Sequence, residues 1–540
     1  MSDRQPIFIL PENTDRLLGK DAQRNNILAA KLVAELVKTT LGPKGMDKML
    51  VDSLGDITVT NDGVTILEKM DIEHPAAKMM VEIAKTQEKE VGDGTTTAVM
   101  LAGKLLENAE KLLDMKIHPT VITKGYIMAE KKAKEFLKEL SVDVTLDRED
   151  LLKNIVMTAM TGKRAESSKE RFAEIIVMAV KQIQENGDVN LSNIKISKNK
   201  SNGIEDTELI QGVIIDKERV SIDMPKRIEN ARIALISDAL ENKTPGSEAK
   251  ISVTSPLQLQ EFLNREEMVL KDIVEKVKKS GANVVFCQKG IDDVVQFYLA
   301  KQGIYAVRRV AKSDMDMLAY STGGKIITNL NELTENELGK AHIVEEIRHG
   351  EEGMTYVKGC ENPKALTILI HGGSEHVLEE IERAFKDGLG DVATVIKDGK
   401  VVPGAGAIEM ELSKRLREFA NTLSGREQLA VFEFANALEF IPSTLAENAG
   451  LDPIDILTEL KSRHDNNEKS AGINIFNNKV ENVFEKGIIE PTKIKTQAIT
   501  SATEVATMIL RIDDVLASKS KSSGGMPRMP RGMGGMEGMD

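Results

Sequence analysis

The stretch Val91-Gly92-Asp93-Gly94-Thr95-Thr96-Thr97 stands directly before an apolar segment that begins Ala98-Val99-Met100-Leu101. Glycines allow a bulky ligand to approach the backbone, and threonines are good N-caps for a following helix. The N-terminus of a helix offers free N–H groups and the positive end of its dipole to a phosphate. Asp93 fits that setting when a cation such as Mg²⁺ lies between it and the phosphates. The alternative is an ordinary capped helix after a glycine turn.

Length, charge and cysteine content limit the class of protein. The 540 residues provide material for about three to four domains. With 72 Lys and Arg against 85 Asp and Glu, the net charge of −13 argues against nucleic acid as a main partner. No apolar run approaches the length of a membrane span, and the N-terminus lacks a signal-peptide pattern. Two cysteines without a disulfide or metal-ligand pattern favour a reducing, cytoplasmic compartment.

Hydrophobic periodicity predicts helices in both outer parts of the chain. We expect them at 21–38, 73–90, 95–114, 119–140, 147–187 with a break at 161–164, 375–389, 408–420, 425–449, 452–462 and 497–516. Turn residues predict β-hairpins around Asn61-Asp62-Gly63, around Lys397-Asp398-Gly399-Lys400 and within 472–482. Asp62 would lie at a hairpin tip, either as plain turn chemistry or as a carboxylate aimed at a ligand. The turns at 39–45 and 403–407 contain glycine and are further candidate ligand loops. No P-loop motif is present.

The pattern changes between residues 188 and 370. Short apolar strand candidates at 233–236, 283–286, 306–307 and 366–370 alternate with helix candidates at 256–280, 291–302 and 314–322. This alternation predicts an α/β domain. The first half of the helix at 256–280 is more apolar than its polar surroundings justify, although its periodicity alone fits ordinary core packing. The last 20 residues are rich in Gly and Met, and we expect a disordered tail at 521–540.

Three motifs in a fixed order resemble one family. They are Thr40-Leu41-Gly42-Pro43-Lys44-Gly45-Met46-Asp47-Lys48-Met49-Leu50, Asn61-Asp62-Gly63-Val64-Thr65 and Gly92-Asp93-Gly94-Thr95-Thr96-Thr97. Together they resemble the signature of the group II chaperonins, the family of the archaeal thermosome subunits. The segments 286–293 and 445–450 and the Gly/Met tail resemble the same family, so the similarity covers about residues 8–516.

The resemblance implies a multidomain α+β architecture. A mostly helical equatorial domain would be formed by both chain ends, at 1–145 and 403–520. A small intermediate domain would be split between 146–214 and 371–402. An α/β apical domain would be inserted at 215–370, with a helical protrusion at about 243–275 that serves as a built-in lid.

The resemblance also implies an ATP-dependent, Mg²⁺-dependent folding machine in the cytoplasm. Its partners would be identical or paralogous subunits in a double ring and non-native client proteins, with no nucleic acid and no membrane. Asp62 and Asp387 would orient and deprotonate the attacking water, and Asp93 would bind Mg²⁺. The remaining nucleotide-binding residues would be Thr40, Leu41, Gly42, Pro43, Gly94, Thr95, Thr96, Thr97, Lys163, Gly404, Ala405, Gly406, Asn474 and Glu490. Among these, residues 404–406, Asn474 and Glu490 would hold the nucleoside, with Glu490 as an acceptor for a ribose hydroxyl.

Two departures from the family pattern keep alternatives open. Ala405 stands where the family usually has glycine, and Gly388-Leu389-Gly390-Asp391 replaces the common Ala-Leu-Arg-Val that follows Asp387. One alternative is therefore a hydrolysis-weak subunit that acts as a structural member of a mixed chaperonin ring. Another is a small-molecule phosphotransferase with a mobile lid, but the sequence shows no acceptor pocket for it.

Overall fold

The computed structural model describes residues 14–518, except 54, 186, 201–202, 243–254, 350–351 and 361–363. The predicted tail at 521–540 and the first part of the predicted protrusion lie outside the described residues. The described chain is a mixed helix and sheet structure, as the sequence predicts.

The helices lie mainly toward the two ends of the chain, as the periodicity predicts. They are α1 (Gly19–Lys38), α2 (Gly63–Lys69), α3 (Pro75–Val91), α4 (Thr95–Asp114), α5 (Pro119–Leu140), α6 (Glu149–Met160), α7 (Lys169–Ile183), α8 (Pro256–Lys279), α9 (Asp293–Lys301), α10 (Lys312–Thr322), α11 (Glu375–Asp398), α12 (Ala407–Asn421), α13 (Glu427–Leu438), α14 (Phe440–Asn448), α15 (Pro453–Asp465) and α16 (Thr492–Leu510).

The strands are short and concentrate in the middle of the chain. They are β1 (Thr14–Leu18), β2 (Lys48–Val51), β3 (Ile57–Thr60), β4 (Val142–Asp143), β5 (Ile194–Lys200), β6 (Glu208–Ile210), β7 (Gly212–Ile215), β8 (Arg227–Ile236), β9 (Val284–Cys287), β10 (Tyr305–Val307), β11 (Ile326–Ile327), β12 (Gly339–His349), β13 (Glu352–Lys358), β14 (Leu366–Gly372), β15 (Lys400–Pro403), β16 (Ala471–Asn474), β17 (Lys479–Asn482), β18 (Ile489–Pro491) and β19 (Asp514–Ser518).

A first hydrophobic core combines both ends of the chain. Buried residues of α1, α3, α4 and α5 pack there with those of α12, α13 and α16. Residues 98–102 of α4 are at most 1% exposed, because this helix is surrounded by other helices. Gly103 permits the close crossing of α1, since an added Cβ would lie 2.3 Å from the Ala34 Cβ. The strands β1 and β19 pair in antiparallel fashion and join the two ends again.

A second core lies under α6, α7 and α11. These helices pack on a three-stranded sheet in the order β5-β14-β6, whose central strand is buried along its whole length. The strand β14 was predicted with the α/β strands of the middle segment, but it pairs with β5 and β6 instead. This core also takes in Val401 and Ile489, which belong to strands from the C-terminal part of the chain.

The predicted α/β pattern of the middle segment forms a larger sheet in the order β10-β9-β8-β12-β13-β7, with β11 beside β8. The strands β8, β9 and β10 are parallel, and alternate side chains of β8 and β9 enter two clusters on opposite faces. The helices α8 and α9 cover one face and α10 covers the other. The end of α8 is buried, whereas Leu257, Leu263 and Met268 near its start are exposed, so the start of the helix is not ordinary core.

Two predicted hairpins are wrong for the same reason. The segment after Asn61-Asp62-Gly63 is helix α2, and Asp62 is its N-cap, with Oδ2 accepting a hydrogen bond of 2.9 Å from the Thr65 N–H. The strand β3 pairs with β2 instead. Likewise α11 continues to Asp398, and Gly399 ends it in the left-handed region. Asp and Gly occur both in tight turns and at helix ends, because both structures need side-chain capping or a positive φ.

The stretch Glu427–Asn448, formed by α13 and α14, is long and apolar enough to cross a membrane by length and composition alone. Of its apolar window, 61% is buried within the fold. Phe434 packs edge-on against Tyr126, with ring centroids 5.7 Å apart. The sequence predicted no span, and the apolar character of this segment is accounted for by its place in the first core.

The glycines of α11 differ in their surroundings. A Cβ at Gly388 would lie 3.0 Å from Ile176 Cδ1 and 3.1 Å from Val156 Cγ1, whereas a Cβ at Gly390 would meet Gly92 Cα and the Val91 carbonyl oxygen at 3.6 Å. We expect Gly390→Ala to stabilise the protein by about 0.5–1 kcal/mol, because alanine favours the helix and makes ordinary contacts there. Gly388→Ala has the same propensity but crowds two buried methyl groups, so its gain should be smaller or negative. The midpoint of urea unfolding measures the stability of each variant. If both substitutions stabilise the protein equally, the side chains of the second core can move enough to accommodate the methyl group at residue 388.

Candidate functional site

A cavity of about 540 Å³ opens between the loops of the first core and helices α6 and α11 of the second. Its walls bring together residues that lie up to 458 positions apart in the sequence, from Thr40 to Ala498. The predicted site residues that line it are Thr40, Leu41, Gly42, Pro43, Asp62, Asp93, Gly94, Thr95, Thr96, Thr97, Lys163, Asp387, Ala405, Gly406, Asn474 and Glu490. Gly404 is not part of the lining, but a Cβ there would lie 2.5 Å from Glu490 Oε1, so this glycine lies directly behind the wall.

Helix N-termini converge on the cavity. The N-caps of α4 and α12 are Gly94 and Gly406, both at positive φ and neither with a side-chain cap. The first N–H of α12, that of Ala407, donates to the Gly404 carbonyl oxygen at 3.0 Å, whereas the N–H groups in the first turn of α4 can bind an anion. The start of α2 touches the start of α4, since a Cβ at Gly63 would lie 2.6 Å from Thr96 Oγ1. The positive ends of these helix dipoles therefore favour negative charge in the cavity.

The loop that carries Asp93 is held in a defined shape. Gln87 Nε2 donates hydrogen bonds to the carbonyl oxygens of Asp93 at 2.8 Å and Ile494 at 3.3 Å. The Gly94 N–H donates to Asp93 Oδ1 at 2.6 Å. One carboxylate oxygen therefore shapes the loop, and the second is left for a ligand.

The loop at 40–43 is fixed from two sides. Asn448 Nδ2 donates to the carbonyl oxygens of Lys38 at 3.0 Å and Leu41 at 2.9 Å. On the other side Gly162 packs so closely that an added Cβ would lie 2.3 Å from Pro43 Cα. Thr40 Oγ1 donates to the Val37 carbonyl oxygen at 2.9 Å, so this hydroxyl caps the end of α1.

Three aspartates and one lysine meet where α11 passes the Asp93 loop. Lys163 forms a hydrogen-bonded ion pair with Asp387. Burial raises the pKa of Asp387 to about 6, and the positive charge of Lys163 opposes that rise. Burial disfavours the charged form of Lys163, but Asp387 and Asp93 together raise its pKa above the ordinary value. Asp391 is 3% exposed, and its Oδ1 has no hydrogen-bond partner within the described chain.

The buried carboxyl of Asp391 is also disfavoured in its charged form. Burial, reinforced by the charges of Asp93 and Asp387, raises its pKa well above the ordinary value. The sequence showed Asp391 only as a departure from the family pattern, not as a site residue. Where these three carboxylates meet one lysine, a cation would offset the excess negative charge before phosphates bind.

No group of three or more His, Cys, Asp or Glu side chains could hold a metal ion by itself, as far as the described residues show. Asp93 would therefore bind Mg²⁺ together with phosphate oxygens, a mode of ligation that this cation commonly adopts.

The other end of the cavity is built from the 404–406 turn and the hairpin of β16 and β17. Ala405 has φ 52°, a conformation that costs a residue with a Cβ about 1 kcal/mol, and its carbonyl oxygen accepts a 3.1 Å hydrogen bond from the Ile473 N–H. The Asn474 side chain donates to Glu481 and accepts from the N–H groups of Phe476 at 3.0 Å and Asn477 at 3.3 Å. The side-chain amide of Asn474 is therefore engaged within the hairpin turn.

Sequence reasoning missed several residues that support the site. Gln87 and Asn448 hold the two phosphate-side loops, and Arg383 of α11 donates from Nη1 to Thr60 Oγ1 at 2.7 Å, which joins the second core to the first. Lys495 lies between Glu409 and Glu490. Asn448 stands inside the 445–450 motif, so it could have been noticed. The other three have at least one partner that is distant in the sequence: Ile494 for Gln87, Thr60 for Arg383 and Glu409 for Lys495.

The fold and the site define a class of protein. The chain belongs to the TCP-1/cpn60 chaperonin family, whose family model matches residues 33–520. Members of this family are molecular chaperones, so the predicted function is confirmed at this level.

Individual relatives narrow this further to the thermosome type. The chain is 57% identical to thermosome subunit beta of Archaeoglobus fulgidus over 537 residues, which cover 97% of this chain and 98% of that protein. It is 56% identical to the thermosome subunit of Methanopyrus kandleri over 524 residues, 96% of each chain. It is 55% identical to thermosome subunit alpha of A. fulgidus over 518 residues, 95% of each chain. The resemblance to the archaeal thermosome subunits is confirmed.

Proposed function

We propose that this chaperonin hydrolyses ATP with Mg²⁺ in the cavity described above and uses the reaction to enclose non-native proteins for folding. The main support for this proposal is that residues of two separate cores line one cavity, and that this cavity favours an anionic ligand. The first core contributes free helix N-termini and Asp93, and the second contributes Lys163 and Asp387. A site divided in this way is complete only when the two cores are correctly positioned, so chemistry and movement are coupled.

The roles of the residues follow from their surroundings. The Gly42 N–H and the N–H groups at the start of α4 would hold phosphate oxygens. In the same turn, Thr40 and Leu41 already donate their N–H groups to backbone carbonyl oxygens, and Pro43 has no N–H. Mg²⁺, when bound, neutralises charge on the phosphate oxygens. Phosphate oxygens would offer Lys163 a new partner and thereby release the Asp387 carboxylate, which would then accept a proton from the attacking water. Asp62 caps α2 through one oxygen and would orient the same water. Residues 404–406, Asn474 and Glu490 would hold the nucleoside.

We assign the first core to an equatorial domain at 1–145 and 403–520, and the second to an intermediate domain at 146–214 and 371–402. The large sheet would form an apical domain at 215–370. Within it, the exposed apolar start of α8 supports a protrusion at about 243–275 that acts as a lid. The subunits would assemble with identical or paralogous chains into a double ring in the cytoplasm. The relatives named as alpha and beta subunits of one organism support such an assembly of related chains.

Two observations favour the alternative of a hydrolysis-weak structural subunit. Asp391 adds a buried carboxyl beside Asp387, with no hydrogen-bond partner for its Oδ1 among the described residues, and Ala405 is strained where the family usually has glycine. Both would act against turnover, since an additional acidic group and a strained turn line the site.

Steady-state ATP hydrolysis by the purified, assembled chain distinguishes these functions. We expect hydrolysis that needs Mg²⁺, together with ATP-dependent refolding of a chemically unfolded test protein whose aggregation is followed by light scattering. An assembly that binds ATP without hydrolysing it would support the structural subunit. An assembly that does not bind ATP would contradict both forms of the proposal.

A further inference from the structure

A buried lysine between two carboxylates lies at the nucleoside end of the cavity. Lys495 Nζ is 2.9 Å from Glu409 Oε1 and 2.5 Å from Glu490 Oε2. The side chains of Lys495 and Glu409 are 10% and 5% exposed, and that of Glu490 is 24% exposed. Lys495 and Glu490 both line the cavity, and Glu409 lies behind them. The three residues come from α16, α12 and β18, so the cluster links three elements of the C-terminal part of the chain.

The position of Lys495 needs an explanation. It stands in the first turn and a half of α16, where a positive charge is disfavoured by the helix dipole. Burial also opposes its charge, but Glu409 and Glu490 raise its pKa above the ordinary value. Both oxygens of Glu409 are buried without a hydrogen-bond partner of good geometry in the described chain, so Lys495 is what compensates this carboxylate. A lysine held in this way has little freedom to move.

The two oxygens of Glu490 have different surroundings. Oε2 is bound by Lys495, and Oε1 lies over the backbone of Gly404, where any added Cβ would come within 2.5 Å of it. Gly404 therefore leaves room for the carboxylate, and Lys495 sets its orientation. Oε1 remains at the cavity wall as an acceptor that a ligand hydroxyl can reach.

We propose that Lys495, anchored by Glu409, is a positioning residue that holds Glu490 in the orientation required to accept a hydrogen bond from a sugar hydroxyl of the nucleotide. The inference rests on the proposed ATP site and adds to it the residue that decides between ribonucleotides and deoxyribonucleotides. A hydrogen bond to a charged acceptor is strong enough to discriminate, since its loss commonly weakens binding by about tenfold or more.

Calorimetric titration of the assembled protein with Mg²⁺ and ADP, 2′-deoxy-ADP or 3′-deoxy-ADP tests this proposal. We expect the wild type to prefer ADP over at least one deoxy analogue by about tenfold or more. In Lys495→Met the affinity for ADP should fall to that of the deoxy analogue, and the preference should disappear. Lys495→Arg should restore most of it, because the charge and the pair with Glu490 are kept.

Lys195 provides a matched control. Its Nζ also lies between two carboxylates, Asp216 at 3.2 Å and Asp314 at 3.0 Å, and its side chain is 14% exposed, but it does not line the cavity. Lys195→Met should lower stability without changing the preference for ADP. A merely structural role of Lys495 predicts the same result for both variants.

The remaining outcomes overturn either the inference or the proposed function on which it rests. A folded Lys495→Met protein that discriminates like the wild type overturns the inference, and so does a wild type that binds ADP and its deoxy analogues equally. A wild type that binds no ADP overturns the proposed function itself. If Lys495→Met does not fold, the double variant Glu409→Gln/Lys495→Gln, which keeps the net charge of the cluster, takes its place. If neither folds, Lys495 is structural and the inference is rejected.

Discussion

Asp387→Ala should lower the rate of ATP hydrolysis by about 10²- to 10⁴-fold, the usual contribution of a general base, while ADP affinity changes little. The reason is the position of Asp387 on α11, in the second core, facing a phosphate site that belongs to the first. Removing the carboxylate also releases Lys163 from its ion pair, so phosphate oxygens keep or gain a cationic partner. Steady-state turnover and calorimetric ADP binding, measured on the same preparation, separate the two effects.

Asp398 is a suitable control for this variant. It is the last residue of the same helix, is exposed and does not line the cavity. Asp398→Ala should therefore hydrolyse ATP at the wild-type rate. Asp387→Asn, which keeps the shape of the side chain, should be as slow as the alanine variant. If Asp387→Ala retains wild-type turnover, the proton acceptor lies elsewhere and the proposed division of the site between two cores is wrong.

Asp93→Asn should have opposite effects in the presence and absence of Mg²⁺. Asparagine keeps the Oδ1 acceptor for the Gly94 N–H, so the loop should hold its shape. The loss of negative charge should weaken ADP binding with Mg²⁺ by about tenfold or more, because the metal loses its protein ligand. In EDTA the same variant should bind ADP more tightly than the wild type, since one charge that repels the phosphates is gone.

The two conditions also define the result that would contradict this role. If Asp93→Asn weakens binding equally with Mg²⁺ and with EDTA, Asp93 acts only through the shape of its loop. Asp93→Ala removes both the charge and the loop hydrogen bond, and it should weaken binding under both conditions. Asp71→Asn, at an exposed residue outside the cavity, should leave both affinities unchanged.

Local sequence signals predicted most helices but failed where one signal serves two structures. Asn61-Asp62-Gly63 and Lys397-Asp398-Gly399-Lys400 are typical of hairpin turns, yet the first starts a helix and the second ends one. The outcome depended on whether the next apolar residues found a helical neighbour or a strand to pair with. Val64, Ile66 and Leu67 are buried in the first core, which favours the helix.

The limit of local sequence signals is clearer at the candidate site. Most predicted site residues could be identified because they stand in contiguous motifs, and every predicted site residue lines the cavity except Gly404, which lies behind its wall. Asp391 and Lys495 were not recognised as site residues, because part of the charge around each comes from a distant position, Asp93 for Asp391 and Glu409 for Lys495. Likewise Asn448 supports the carbonyl oxygens of residues about 410 positions away. Electrostatic and hydrogen-bond partners of this kind exist only once the chain is folded.

The local sequence was sufficient to identify the family, to predict the glycine and threonine loops, and to predict those helices in which the capping residues and the apolar spacing agree. These features depend on the backbone freedom of a few residues and on periodicity, both of which act within one or two turns of chain. Tertiary structure alone decided that β14 joins β5 and β6, that Lys163 pairs with Asp387, and that one buried lysine binds both Glu409 and Glu490. Strand pairing, burial and Coulomb energy depend on distance in space, and only the packing of the cores sets that distance.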